Sequence, residues 1–152
     1  MDRALMTALV LIGLAAGSAR AQTSASSAAP AAAPSPLPAD SIAIARKYAT
    51  WFLSYQADSL FAHLPPEDRQ RLGSVADMNE QMMRFAAQAG TETALVEERW
   101  VRRNGKRQYW RKGVYSIAPE PVLLRLVILP DGSLGGIGLG LASQPPPIDP
   151  EQ

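Results

Sequence analysis

The chain of 152 residues contains no cysteine and a single histidine, His63. Without cysteine there is no disulfide scaffold, no cysteine-ligated zinc and no thiol nucleophile. A multi-histidine metal site would need a second chain. Basic and acidic residues nearly balance, at 15 and 14, so the chain lacks the charge excess that keeps many sequences unfolded. These absences predict a domain stabilised by its core alone, with neither a metal nor another cofactor.

The first 21 residues have the pattern of a secretory signal peptide. Arg3 precedes an apolar run over 4–16, and a small-x-small sequence follows at 19–21. We predict cleavage before Gln22, export to the periplasm or the medium, and no membrane span in the mature protein. An uncleaved anchor helix is the alternative, although the run is shorter than the about 20 residues that span a bilayer. Cleavage would leave a formally neutral chain.

Composition divides the rest of the chain into three parts. Residues 22–39 are rich in Ala, Pro and Ser and carry no charge, which predicts a disordered tether. Residues 40–143 have the mixture of side chains that forms one modest core. Residues 144–152 are rich in proline and predict a tail that is separate from the folded domain.

The first half of this domain has apolar residues at helical spacing. Ile44, Tyr48 and Phe52 share one face of a helix that Asp40 or Ser41 would cap. A short helix is predicted over 58–64, and a single helical turn over 67–72.

The clearest helix is predicted to begin at Ser74 and to end at Gly90. Asp77 stands three residues after Ser74, as in a capping box. Its apolar stripe includes Met78 and Met82, which fits core packing or an adaptable binding surface.

The second half predicts a meander of strands. Asn104-Gly105, the strongest short hairpin signal, separates a strand over 93–103 from one over 106–116. Strands over 122–129 and 135–141 follow. Helices first and antiparallel strands afterwards predict an α+β domain, with N-terminal helices packed on a curved antiparallel sheet of about four strands.

A two-residue turn fixes the register of the predicted hairpin, and the resulting pairs can be judged by their chemistry. Aromatic, oppositely charged and apolar side chains fall opposite one another, each pair contributing about 0.2–1 kcal/mol. Next to the turn, Arg103–Lys106 and Arg102–Arg107 are like-charge neighbours, which predicts a tip that faces solvent or an acidic group. The complementary pairs are Trp100–Tyr109, Glu98–Arg111, Glu97–Lys112 and Leu95–Val114.

Three segments together resemble small exported bacterial domains of unknown function with a nuclear transport factor 2-like, or cystatin-like, cone. They are ARKYATWFLSYQADSLFAHL, LGSVADMNEQMMRFAAQAGTET and VLLRLVILPDGSLGGIGLGL. The order and spacing of these segments carry the resemblance, which extends over residues 42–141. It implies a sheet wrapped around helices with a pocket at the wide end, and it implies no established activity.

The first function hypothesis is a non-catalytic exported binding domain that holds a small molecule or an envelope partner in or beside an apolar cone. Its candidate lining residues are aromatic, and Arg125 would anchor a carboxylate. Arg125 lies in an apolar strand, and it can equally face outward and pair with a glutamate of a neighbouring strand. The candidate lining residues are Tyr48, Phe52, Trp100 and Trp110.

The second hypothesis is an interaction module that uses the basic hairpin over 99–112. Arg102, Arg103, Lys106 and Arg107 would hold an envelope polyanion or anionic lipid headgroups, whereas charge-protected strand edges are the structural alternative. Nucleic acid is disfavoured as a partner of an exported protein.

Two further possibilities stay open. The strand over 135–141 has glycine on alternate positions, so it could approach another backbone closely and form a homodimer. An enzyme of the cone type would need a desolvated carboxylate base, and no catalytic residue stands out, because the acidic residues fall at helix starts or opposite cations.

Overall fold

A computed structural model describes residues 40–150, so the predicted signal peptide (1–21), the predicted tether (22–39) and the last two residues of the chain lie outside the described residues. The helices are α1 (Ser41–Leu53), α2 (Ala57–Ala62), α3 (Pro66–Leu72) and α4 (Val75–Ala89). The strands are β1 (Glu92–Arg103), β2 (Lys106–Tyr115), β3 (Val122–Ile128) and β4 (Leu134–Leu141). Within residues 40–150, no helix is long and apolar enough to cross a membrane.

The four strands form one antiparallel sheet in the order β1-β2-β3-β4, and the sheet is not closed into a barrel. Helix α1 packs against β3, and α2 contacts both α1 and α4. The predicted α+β class, with N-terminal helices on a four-stranded antiparallel sheet, is therefore confirmed.

Helix α4 begins and ends where its sequence predicts. The Ser74 side chain accepts the backbone N–H of Asp77, and the Asp77 carboxylate accepts the backbone N–H of Ser74 at 2.8 Å. Both halves of the capping box are thus present. Gly90 ends the helix with φ of 78°, a conformation that favours glycine. At α1, by contrast, Asp40 precedes the first turn without a side-chain capping bond.

The turn between β1 and β2 is a two-residue hairpin turn. Asn104 and Gly105 have φ of 53° and 71°, and two positive φ values in succession match the twist of antiparallel strands. The predicted pairs Trp100–Tyr109, Glu98–Arg111 and Glu97–Lys112 are confirmed.

The predicted pair Leu95–Val114 is wrong. Leu95 lies opposite Gly113, and Ala94 lies opposite Val114. The physical reason is a register shift in β1 between Leu95 and Glu97, and a second shift follows beyond Leu95, between Glu92 and Ala94. Such bulges put an extra residue on one strand and displace every pair beyond them.

The core lies between the helices and one side of the sheet, which we call the helix face. Met78 and Met82 of α4 are buried there, so their stripe packs the core. Tyr109 of β2 and Leu124 and Leu126 of β3 complete it from the sheet. The core cluster includes Ala45, Tyr48, Phe52, Leu60, Met78, Met82, Tyr109, Leu124 and Leu126.

The opposite side of the sheet, which we call the outer face, is also covered. Successive side chains of a strand point to opposite faces, so Trp110 points away from the helices that bury Tyr109. Trp110 is nevertheless only 1% exposed. Trp110, Ala142 and Pro145 are among the residues that line a cavity of about 70 Å³ on this face, and the guanidinium of Arg99 lies over the Trp110 ring. Ala142 and Pro145 belong to residues 142–150, which we call the C-terminal segment.

Candidate functional site

The cations beside the hairpin turn form no ion pair within residues 40–150. Arg102, Lys106 and Arg107 are exposed and Arg103 is half-buried, and we call these four residues the tip cluster. None of them forms an ion pair with an acidic residue of the described chain. Arginines elsewhere do form ion pairs, namely Arg46, Arg71, Arg84, Arg99 and Arg111.

One acidic residue does reach the hairpin turn, but it binds the backbone. The two carboxylate oxygens of Asp149 accept the N–H groups of Asn104 and Gly105, each at 2.8 Å. The Asp149 N–H donates to the carbonyl oxygen of Arg102 at 2.7 Å. Asp149 thereby fastens the C-terminal segment to the hairpin. The sequence contained only an indirect signal for this contact, namely like-charge neighbours beside a turn that was expected to face solvent or an acidic group.

Arg125 lies on the outer face in the middle of the sheet. Its neighbours across the strands are Trp110 of β2 and Gly138 of β4. A Cβ atom at Gly138 would lie 2.8 Å from Arg125 Nη2, so the guanidinium group lies directly over the backbone of that glycine. The glycine positions of β4 are thus used within the chain, at least here, to admit a side chain.

Arg103 and Arg125 share an unusual state. The Nε atom of each is buried and has no hydrogen-bond partner among the described residues. Burial lowers the pKa of Arg125, and the positive charge of Arg103 lowers it further. Arg125 makes no ion pair with a glutamate of the described chain. The outer face therefore holds two cations that form no ion pair within residues 40–150.

The helix face also carries charged groups, and these are partnered. Arg46 of α1 donates to Glu98 of β1, with Nε 2.9 Å from Oε1, and Tyr109 donates its hydroxyl to the same carboxylate. Hydrogen bonds from Arg46 and then from Tyr109 lower the pKa of Glu98. Glu98 is thus held ionised and accepts protons poorly, which disfavours it as a general base.

A second ion pair, between Arg111 and Glu92, lies next to Glu98. Arg111 Nε donates to Glu92 Oε2 at 3.0 Å, and the Arg111 Nη1 atom lies 4.0 Å from Glu98. Tyr115 donates its hydroxyl to Glu92 at 3.4 Å, and burial is the main cause of its raised pKa. The sequence predicted that Glu98 and Arg111 lie opposite each other. It did not predict their closer partners, because the contact of Glu98 with Arg46 depends on where α1 packs, and the contact of Arg111 with Glu92 depends on the bulges in β1.

The five residues predicted to line a pocket do not meet at one place. Tyr48 and Phe52 are buried in the core, and Trp100 packs edge to face against Tyr109 on the helix face with ring centroids 5.7 Å apart. Trp110 and Arg125 lie on the outer face. The sheet itself separates the two groups.

Tyr48 also reaches an open hollow of about 380 Å³ near α2. Its hydroxyl donates to the Gly132 carbonyl oxygen at 2.7 Å. His63 Nδ1 lies 2.8 Å from the Ser59 carbonyl oxygen, and the Ser133 hydroxyl and N–H hold Asp131 and lower its pKa. These polar groups serve local structure.

Across residues 40–150, no group of three or more His, Cys, Asp or Glu side chains is placed to hold a metal ion.

Comparison of the chain with protein-family models, with curated proteins and with solved structures finds no match. The class established by the structure is an α+β domain with one open antiparallel sheet. The resemblance to nuclear transport factor 2-like cones stays a prediction.

Proposed function

We propose that this chain is a non-catalytic exported binding domain whose basic hairpin holds an anionic polymer of the cell envelope. The observation that supports this proposal is the tip cluster, whose four cations have no ion-pair partner in the described chain. Arginines elsewhere on the surface meet carboxylates.

The register of the hairpin concentrates this charge. Arg102 lies opposite Arg107, and Arg103 lies opposite Lys106. Like charges directly opposite one another are unfavourable. They raise the local positive potential, which attracts anions and speeds their encounter. Because the mature chain is expected to be neutral, the attraction belongs to this end of the sheet and not to the whole molecule.

A polymer fits the tip better than a bilayer does. Residues 102–107 contain only Arg, Asn, Gly and Lys, so no large apolar side chain is available to insert among lipids. A flexible polyanion can instead follow several exposed cations at once, and such binding weakens steeply with salt.

Retention on immobilised heparin tests the proposal. The R102Q/K106Q/R107Q variant should lose retention at low salt, while R69Q/R71Q/R84Q, which removes equal charge from α3 and α4, should keep it. Equal retention of both variants would contradict the proposal. So would binding to phosphatidylglycerol vesicles without retention on heparin, since that result would favour a membrane partner.

A further inference from the structure

The hairpin turn already binds one anionic group, and this group belongs to the chain itself. The carboxylate of Asp149 accepts the N–H groups of Asn104 and Gly105, each at 2.8 Å. We propose that the turn is an anion-binding site, that Asp149 occupies it in the free protein, and that an anionic group of the polymer takes its place. The C-terminal segment thereby restrains polymer binding. This inference rests on the proposed function, because it concerns the regulation of the same site.

The backbone of the turn has the geometry of an anion site. Asn104 and Gly105 have successive positive φ values of 53° and 71°, and their N–H groups meet one carboxylate, with one oxygen for each donor. Successive N–H groups in a turn form a concave nest that binds anions. Both residues are exposed, so an external group can reach these donors once Asp149 has left.

The side chains beside the turn also favour an anion there. The tip cluster supplies the two residues immediately before the turn and the two immediately after it. Their positive potential attracts anions, and an N–H group donates more strongly to a charged oxygen than to a neutral one. A sulfate, phosphate or carboxylate group therefore meets the donors that Asp149 uses, while the rest of the polymer follows the exposed cations.

The C-terminal segment is attached in a way that permits this exchange. Three hydrogen bonds join it to the hairpin, and all three are made by Asp149. Ile148, the largest apolar side chain of the segment, is 49% exposed, so its burial contributes little to the attachment. A carboxylate on the same chain acts at a high effective concentration. It therefore occupies the turn in the free protein and lowers the apparent affinity for the polymer.

The first test is calorimetric titration of the full chain with a heparin oligosaccharide at constant ionic strength. D149N keeps the size of the side chain but loses its charge and one acceptor oxygen. It should bind about fivefold more tightly than the unchanged chain, because its own segment no longer competes. E120Q removes equal charge between β2 and β3, at the other end of the sheet, and should bind as the unchanged chain does. A gain that is absent in D149N, or equal in E120Q, would overturn the inference.

The second test observes the exchange in the unchanged chain. Release of Asp149 should move the NMR signal of the Ile148 methyl group, on addition of the oligosaccharide, to the position that it has in D149N. The methyl group of Ile128, which is buried in the core, should not move. An Ile148 signal that stays in place while the oligosaccharide binds would overturn the inference, because the polymer would then bind beside an occupied turn.

The failure of this inference and the failure of the proposed function give different results. If the exchange alone fails, the unchanged chain binds heparin, R102Q/K106Q/R107Q does not, and D149N gains nothing. If the proposed function fails, neither the unchanged chain nor D149N binds heparin, or R102Q/K106Q/R107Q binds as well as both.

Discussion

The two faces of the sheet bury neighbouring aromatic residues in different ways. Tyr109 lies in the main core with the helices, whereas Trp110 lies beneath Arg99 and beside a cavity that Ala142 and Pro145 of the C-terminal segment help to line. The helices pack apolar side chains against the sheet, while the C-terminal segment is held to the hairpin by three hydrogen bonds at Asp149. We therefore expect the outer face to open locally more easily than the helix face.

The two faces also differ in whether their charged side chains form ion pairs. On the helix face, Glu98 and Glu92 are held by Arg46 and Arg111. On the outer face, Arg125 has neither a carboxylate nor a bond to its Nε atom within the described chain. Paired charges of this kind serve the fold.

The largest expected difference between the faces is in the free energy of unfolding that is lost when a packed side chain is shortened. L126A removes a fully buried side chain of the core and should lower the free energy of unfolding by about 2–5 kcal/mol. V127A, the next residue on the outer face and half-buried, should cost about 1 kcal/mol. Urea denaturation measures both values, and equal losses would contradict the contrast.

The next effect concerns the ionic pairs. E98Q should lower the free energy of unfolding by about 1 kcal/mol, because a charged acceptor of two donors is lost. E80Q, which removes an exposed helix pair, should cost about 0.3 kcal/mol. Denaturant titrations of the two variants at neutral pH provide this comparison.

The pH dependence of E98Q has a definite sign. Folding lowers the pKa of Glu98 from its ordinary value of 4.5, so the stabilisation is present above that value and is lost as pH falls below it. The unchanged chain should therefore lose stability more steeply than E98Q under acidic conditions. Parallel acid profiles would show that Glu98 is not responsible.

A smaller effect is expected where the C-terminal segment meets the hairpin. D149A removes two hydrogen bonds to the turn and should cost about 1 kcal/mol or less in local stability. The indole N–H of Trp110, which donates to Gln108 at 3.0 Å, should then exchange faster with solvent. Exchange at Trp100, on the other face, should not change, and NMR resolves the two indoles.

The sequence allowed the elements to be predicted because their signals are local. The capping box at Ser74, the stop at Gly90 and the Asn104-Gly105 turn each depend on a few adjacent residues. Three of the four complementary cross-strand pairs, and both like-charge pairs, followed from the turn alone. The fourth failed at Leu95, because a bulge has no strong sequence signal and shifts the register beyond it.

The candidate sites were less predictable because they depend on which face each side chain meets. Trp100 and Trp110 look alike in the sequence, yet the sheet places them on opposite sides. The docking of Asp149 and the pairing of Arg46 with Glu98 join residues that are far apart in the chain. Only the tip cluster followed directly from spacing, since a two-residue turn keeps its cations together.

Substitutions in the tip cluster should change the stability of the fold least, although we propose that they change retention on heparin most. R102Q/K106Q/R107Q removes exposed cations that have no ion-pair partner in the described chain, and it also removes the like-charge pair Arg102–Arg107. The free energy of unfolding should change by less than about 0.5 kcal/mol, with a slight gain at low salt that disappears at high salt. Thermal unfolding at both salt concentrations measures this. A loss as large as that of E98Q would show that the cluster supports the fold, whereas an unchanged stability with lost heparin retention assigns it to binding.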